Sequence, residues 1–224
     1  MSLEANFTIQ AAVLAGVPVM AKMGTDVSKL DRNTQVKALG KDGYDLHAMG
    51  LEVFKDYIMS PKCRFIKAVN DSTGEIMGYC CWGLRGFNEG EFPPLPHPDN
   101  IVLQQTTEDA EERIFYELEE LDPAKRLEKI TADHMTHMMK KLMSEGAKYM
   151  FIVAFTVAGD WQSQGVGSAL LQAGFEVIET LEVDLDGYAT APPPKELEAS
   201  EGKWGHYVFR YMKQVALSAA TETQ

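Results

Sequence analysis

In Gln162-Ser163-Gln164-Gly165-Val166-Gly167-Ser168, residue types and spacing suit the binding of a phosphorylated ligand. A Gly-x-Gly turn that opens a helix leaves first-turn backbone N–H groups without partners, and the helix dipole adds partial positive charge there. Such a turn holds a pyrophosphate without lysines. Gly165 and Gly167 allow close approach, since a Cβ would intrude on the phosphate. Ser168 adds a hydroxyl donor, and Gln162 and Gln164 add amide donors. Two commoner nucleotide motifs are excluded. The dinucleotide pattern needs a third glycine where Leu170 stands, and the P-loop needs a Gly-Lys-Ser/Thr that is absent. For a lone Gly-x-Gly, a tight strand-to-helix turn without any ligand accounts for the pattern at least as well.

The turn has to be held by flanking elements. Before it, YMFIVAFTV (149–157) is a near-continuous apolar run, predicted to be a central strand buried on both faces. After it, SALLQ opens a helix. Val166, Leu170, Ala173, Val177 and Leu181 would let that helix run on through Gly174. The β-branched composition from Phe175 onward favours instead a helix to about Gln172 and a strand from Phe175.

Upstream, Phe7 to about Ala12 reads as a strand leading to a helix near Pro18. Helices are predicted over 18–30 and 45–59, the second with Leu46, Met49, Val53, Phe54 and Tyr57 at helical spacing. CRFIKAVND and EIMGYCCWGLRG read as a hairpin joined by 70–75. The proline-rich 87–100 reads as a loop. Helices over 107–120 and 123–145 follow, the latter capped by Asp122-Pro123, with Leu127, Ile130, His134, Met138 and Leu142 as its stripe. A proline-rich linker over 189–203 precedes a last strand in HYVFRYM.

Composition bounds the partners. The 224 residues are 45% hydrophobic with a net charge of −12, enough for one domain over 1–224 and too acidic for a nucleic-acid protein. The apolar start (7–21) lacks a basic flank and is interrupted by Gln10, Gly16 and Pro18, so neither a signal peptide nor a membrane span is expected. The chain is read as cytoplasmic or nuclear. Cys80 and Cys81 read as core residues. His134 and His137 lack further ligands at metal spacing, so no metal is expected.

Gln162-Ser163-Gln164-Gly165-Val166-Gly167 matches the acyl-CoA pattern Gln/Arg-x-x-Gly-x-Gly/Ala. With FTVAGDW before it and SALL after it, the stretch resembles the cofactor motif of the GNAT superfamily of N-acetyltransferases. The order strand, two helices, hairpin, long strand is similar too. The resemblance runs from about Phe7 to Gln172, interrupted by a helical insertion over 87–146, and resumes at Gly174. Inserted helices and proline linker look most like fungal members. It implies an α/β (α+β) acyl-CoA N-acyltransferase fold, a mixed central sheet with helices on both faces. It implies acetyl-CoA as co-substrate and a primary amine, on a small molecule or a protein, as acceptor. Backbone groups of Phe155 and Val157 would meet the pantetheine, and the amides of 164–168 the pyrophosphate. Gly159 stands where many members carry proline. Gln164 stands where many carry Lys or Arg, which removes a charge-assisted contact.

One part of the family pattern is absent. Another strand and helix are expected between the cofactor helix and the Gly-Phe strand, which takes roughly 25–30 residues. Six residues, Ser168 to Ala173, lie between Gly167 and Gly174. The gap falls near Gln172-Ala173. The lost pieces would form one wall of the pantetheine cleft and often supply the tyrosine that protonates the departing thiolate. Two functions follow: an acetyltransferase, or a catalytically impaired or non-catalytic CoA-binding module. A generic α/β nucleotide-binding protein is a third, resting on the glycine turn alone. No catalytic base stands out; Glu75, Glu89 and Glu91 read more simply as solvated loop carboxylates.

Overall fold

The computed structural model describes residues 6–41, 45–88, 122–143, 146, 148–171 and 175–214. The alternating runs of the expected hairpin form β2 (Cys63–Asn70) and β3 (Ile76–Arg85). Asn70 closes the turn between them. Its side chain accepts from the Ser72 and Thr73 N–H groups, and Gly74 takes the left-handed φ of 72°. β1 (Phe7–Ala11) pairs with β2, and β4 (Tyr149–Val157) with β3, giving a four-stranded sheet in the order β1-β2-β3-β4. β5 (Phe175–Asp184) and β6 (His206–Gln214) form a separate two-stranded sheet. The α/β class is as expected, and every described strand pair is antiparallel.

Helices cover both faces of the larger sheet. On one, α1 (Val17–Ser28) and α3 (Leu46–Met59) bury Met20, Ala21, Phe54 and Ile58 against Phe65, Tyr79 and Cys81. The rings of Phe54, Phe65 and Tyr79 meet edge to face. The α3 stripe differs from expectation: Met49 is exposed, while Gly50, Phe54 and Ile58 are buried. Gly50 is what α1 needs there, because a Cβ would sit 3.2 Å from that of Ala21. On the other face, α5 (Val166–Leu171) buries Val166 and Leu170 against Ile66, Ala68, Met77 and Cys80.

β4 corrects the sequence reading. Expected as a central strand buried on both faces, it is the terminal strand of its sheet among the described residues, with Met150, Ile152 and Phe155 exposed. The apolar run specifies a strand but not its neighbours. Three residues, 172–174, separate α5 from β5, and β5 pairs with β6 rather than with β4.

A second core joins α2 (Arg32–Ala38) and α4 (Pro123–Leu142) to the β5–β6 hairpin through Val36, Leu127, Val183, Leu185, Leu197 and Trp204. Asp122 caps α4 as expected, accepting from the Lys125 N–H at 3.1 Å. The α4 stripe is Ala124, Leu127, Thr131 and Met138; Leu142 is exposed. The helix expected over 107–120 lies outside the described residues. The stretch 189–203 leads into the last strand, but it is folded rather than a bare linker. Leu197 and Trp204 are buried, the Trp204 indole donates to the Ala191 carbonyl, and the Asp186 carboxylate accepts from the Trp204 and Gly205 N–H groups.

Gly78 on β3 is the contact point for α5 and β4. A Cβ there would lie 2.8 Å from the Thr156 carbonyl oxygen and 3.2 Å from Leu170 Cδ1. Gly78→Ala is expected to lower stability by about 1–3 kcal/mol, because neither the paired backbone nor the buried leucine yields freely. Urea denaturation measures it; an unchanged midpoint would contradict this packing.

Candidate functional site

The end of β4, the following turn and α5 gather the sequence-nominated residues. Ala158 donates its N–H to the Met77 carbonyl at 3.0 Å, which fixes the phase of the β3–β4 ladder. Directly opposed residues alternate between exchanging hydrogen bonds and facing away. Ala158 and Thr156 therefore bond to β3, whereas Val157 (opposite Gly78) and Phe155 (opposite Cys80) turn their N–H and C=O groups to the outer edge. The Val157 carbonyl confirms the direction, since it accepts the Gln162 side-chain amide at 3.2 Å.

Further up, β4 carries a bulge. Ala154 opposes Cys81 and Ile152 opposes Trp82, leaving Val153 as the extra residue. Such an insertion bends the strand and interrupts regular pairing just before Phe155.

The turn is built from local bonds. A short 3-10 turn, Gly159–Trp161, follows Ala158, and Trp161 packs with Val157 and Leu171 against the α5 core. The Gln164 amide donates to the Asp160 carbonyl at 2.8 Å. Gln162 and Gln164 thus each spend one amide donor on the loop itself, a use that sequence reading did not foresee. Ser163 (φ 62°) and Gly165 (φ 82°) are both left-handed, which reverses the chain into α5. Glycine takes that conformation readily, and serine is held there by the surrounding turn.

The first helical bond of α5 runs from the Ala169 N–H to the Gly165 carbonyl at 3.0 Å. The amides of Val166, Gly167 and Ser168 precede it and have no intrahelical acceptor. Gln162 to Gly165 and Ser168 are exposed, Gly167 is half-buried, and Val166 is fully buried as the anchor. At Gly167 a Cβ would meet Phe155 Cζ at 3.4 Å and Val157 Cγ2 at 3.6 Å. The side chains of Phe155 and Val157 thus flank the start of α5, where the three amides lie. Val166 contributes its amide and its anchoring side chain.

Acid–base candidates are few. Tyr79, opposite Thr156, hydrogen-bonds that threonine, and burial pushes its hydroxyl above the ordinary tyrosine range. It lies against Gly24 of α1, on the face away from α5. Glu75 is an exposed turn residue; Glu89 and Glu91 lie outside the described residues. His134 Nδ1 is 2.9 Å from the Tyr211 hydroxyl, where α4 docks on β6, and His137 is exposed. Among the described residues no three His, Cys, Asp or Glu side chains gather as a metal site, and no helix is long and apolar enough to cross a membrane.

No family model matches the chain, and no curated protein matches it. Solved structures similar to the chain include two acetyltransferase-named proteins. One is described as a histone acetyltransferase HPA2 and related acetyltransferase from Corynebacterium glutamicum, at 17% identity and a TM-score of 0.38, over 80% of this chain and 77% of that one. The other is a mosquito arylalkylamine N-acetyltransferase like 5b, at 12% identity and a TM-score of 0.46, over 94% of this chain and 100% of that one.

Proposed function

We propose that this chain is an acetyl-CoA-dependent N-acetyltransferase acting on a primary amine of a small molecule or protein. One observation carries the reading: the acyl-CoA-type turn joins a strand whose last outward-facing backbone groups are at Phe155 and Val157 to a helix start where the amides of 166–168 lack an intrahelical acceptor. The amides suit a pyrophosphate, and the strand edge suits the peptide-like pantetheine. In the reaction the amine nitrogen attacks the thioester carbon, a C–N bond forms, and the oxyanion is met by backbone N–H groups. The C–S bond then breaks and CoA leaves as the thiolate, while the amine proton passes to water or a base. The three free cysteines suit a reducing compartment, the cytoplasm or nucleus.

A second reading is a CoA-binding module with little or no turnover. β4 favours it, because β3 is the strand's sole partner among the described residues, leaving one side of the pantetheine path without a strand. Loss of a thiol-protonating acid alone lowers turnover by on the order of 10²–10⁴-fold.

The test is calorimetric titration of the full chain with CoA beside a thiol-release assay over a panel of amines. Weak binding with slow, amine-dependent release is the expected result. Binding without release establishes the module reading, and no binding removes both.

A further inference from the structure

We propose that Cys63 and Cys81 are an oxidisable dithiol, in which hydrogen peroxide oxidises Cys63 and Cys81 closes a disulfide between β2 and β3. The inference is independent of the acetyltransferase reading. It rests on strand register. Cys63 opposes Gly83, and Phe65 opposes Cys81, so the two cysteines are diagonal neighbours on the same face of the hairpin. Both belong to the core beneath α1 and α3, with Cys81 fully buried and Cys63 half-buried at its margin. The direct cross-strand position beside Cys63 is Gly83, whose face is covered by the Phe151 ring from β4.

The two thiols influence each other. Cys81 draws the Cys63 thiol down to about 7, against the opposing effect of burial, and the Ser60 hydroxyl helps. Cys81 is held well above the ordinary thiol range by Cys63 and by burial, and so stays protonated. This asymmetry divides the work, because a partly exposed thiolate is the nucleophile in such chemistry and its protonated neighbour the resolving group. Cys80 supplies the contrast. It is next to Cys81 in sequence but on the opposite face with Ile66 and Met77, and burial pushes its thiol up to about 12.

The steps balance with hydrogen peroxide as sole oxidant. The Cys63 thiolate attacks one peroxide oxygen, the O–O bond breaks, and sulfur is oxidised to the sulfenic acid. The released hydroxide takes up the proton that Cys63 had given to solvent. The Cys81 sulfur then attacks the Cys63 sulfur; an S–S bond forms, the S–O bond breaks, and the Cys81 proton leaves with that hydroxyl as water. In sum, two thiols and one peroxide give one disulfide and two waters.

The experiment treats the full chain with hydrogen peroxide at neutral pH, alkylates remaining thiols after unfolding, and maps peptides by mass spectrometry. Two of the three thiols should be lost, as a Cys63–Cys81 linked peptide that dithiothreitol reverses, with Cys80 alkylated. Cys80→Ser should leave the linked peptide in place. Cys81→Ser should stop at the Cys63 sulfenic acid, trapped by dimedone. A link to Cys80, oxidation of Cys63 to the sulfinic acid without a link, or three thiols still alkylated would each overturn the proposal. The wild-type map decides even where a variant fails to fold.

Discussion

Leu170→Ala should lower stability by roughly 2–5 kcal/mol and undock the glycine turn with it. Leu170 is fully buried, and α5 has just six residues, of which Val166 and Leu170 are its buried anchors. A helix that short has no stability of its own in water. Its place comes from those two side chains against Ile66, Ala68, Met77 and Cys80. Leu170 also reaches the bare Cα of Gly78, so alanine would open a cavity that the paired β3 backbone cannot collapse to fill. For a domain stabilised by about 5–15 kcal/mol, the loss is a large share of the total. The melting temperature should fall by roughly 10 °C. Leu171→Ala, at a half-buried position, is the control and should cost clearly less. Equal melting of Leu170→Ala and wild type would mean that α5 is not packed as described.

The turn itself was legible in sequence because glycine marks a backbone requirement directly. Gly165 does take a positive φ, and helix α5 and strand β5 lie where composition put them. The β2–β3 hairpin was legible for the same reason, since Asn70 and Gly74 carry the turn in their own chemistry. α2 was missed. It spans seven residues with Asn33 and Val36 as its buried positions, too few to show a period. Its trace in the sequence was Asp31, whose carboxylate caps the Thr34 N–H and also binds the Thr34 hydroxyl. Residues 189–203 misled in another way. Prolines and charges there suggest an open linker, whereas Leu197 and Trp204 fold it onto a core assembled from α2, α4 and the last two strands. That burial depends on partners more than a hundred residues upstream, such as Val36, which no local window contains.

β4 is the more instructive failure, because it bears on the site. Nine uncharged residues, YMFIVAFTV, match a strand covered on both sides, yet every second or third side chain reaches solvent. Whether a strand is central depends on what pairs with its other edge, and that is decided by topology. The same circumstance leaves the outward groups of Phe155 and the Val157 N–H without a strand partner among the described residues, the Val157 carbonyl being taken by Gln162. What weakens the case for efficient turnover is thus also what keeps the proposed pantetheine path open.

Gly167→Asp should abolish CoA binding while leaving the fold intact, and the separation of these two effects makes it the most discriminating substitution. The backbone at Gly167 is ordinary helix, and a Cβ would make van der Waals contact with Phe155 and Val157 at 3.4 and 3.6 Å. An aspartate in the first turn also interacts favourably with the helix dipole, by about 0.3–1 kcal/mol. Thermal stability should therefore hold or rise slightly. Toward a bound pyrophosphate the carboxylate has the opposite effect. At about 4 Å and an effective dielectric of 20, each like-charge pair costs about 4 kcal/mol, which corresponds to on the order of 10³-fold in affinity. Gly167→Asn carries nearly the same bulk without the charge and should retain most of the binding that Gly167→Ala retains. Calorimetric titration of the three variants with CoA, beside their melting curves, reads both effects. Wild-type affinity in Gly167→Asp would place the pyrophosphate elsewhere and remove the turn from the site. Equal losses in Gly167→Asp and Gly167→Asn would show that close approach of the backbone, rather than its field, is what the glycine provides.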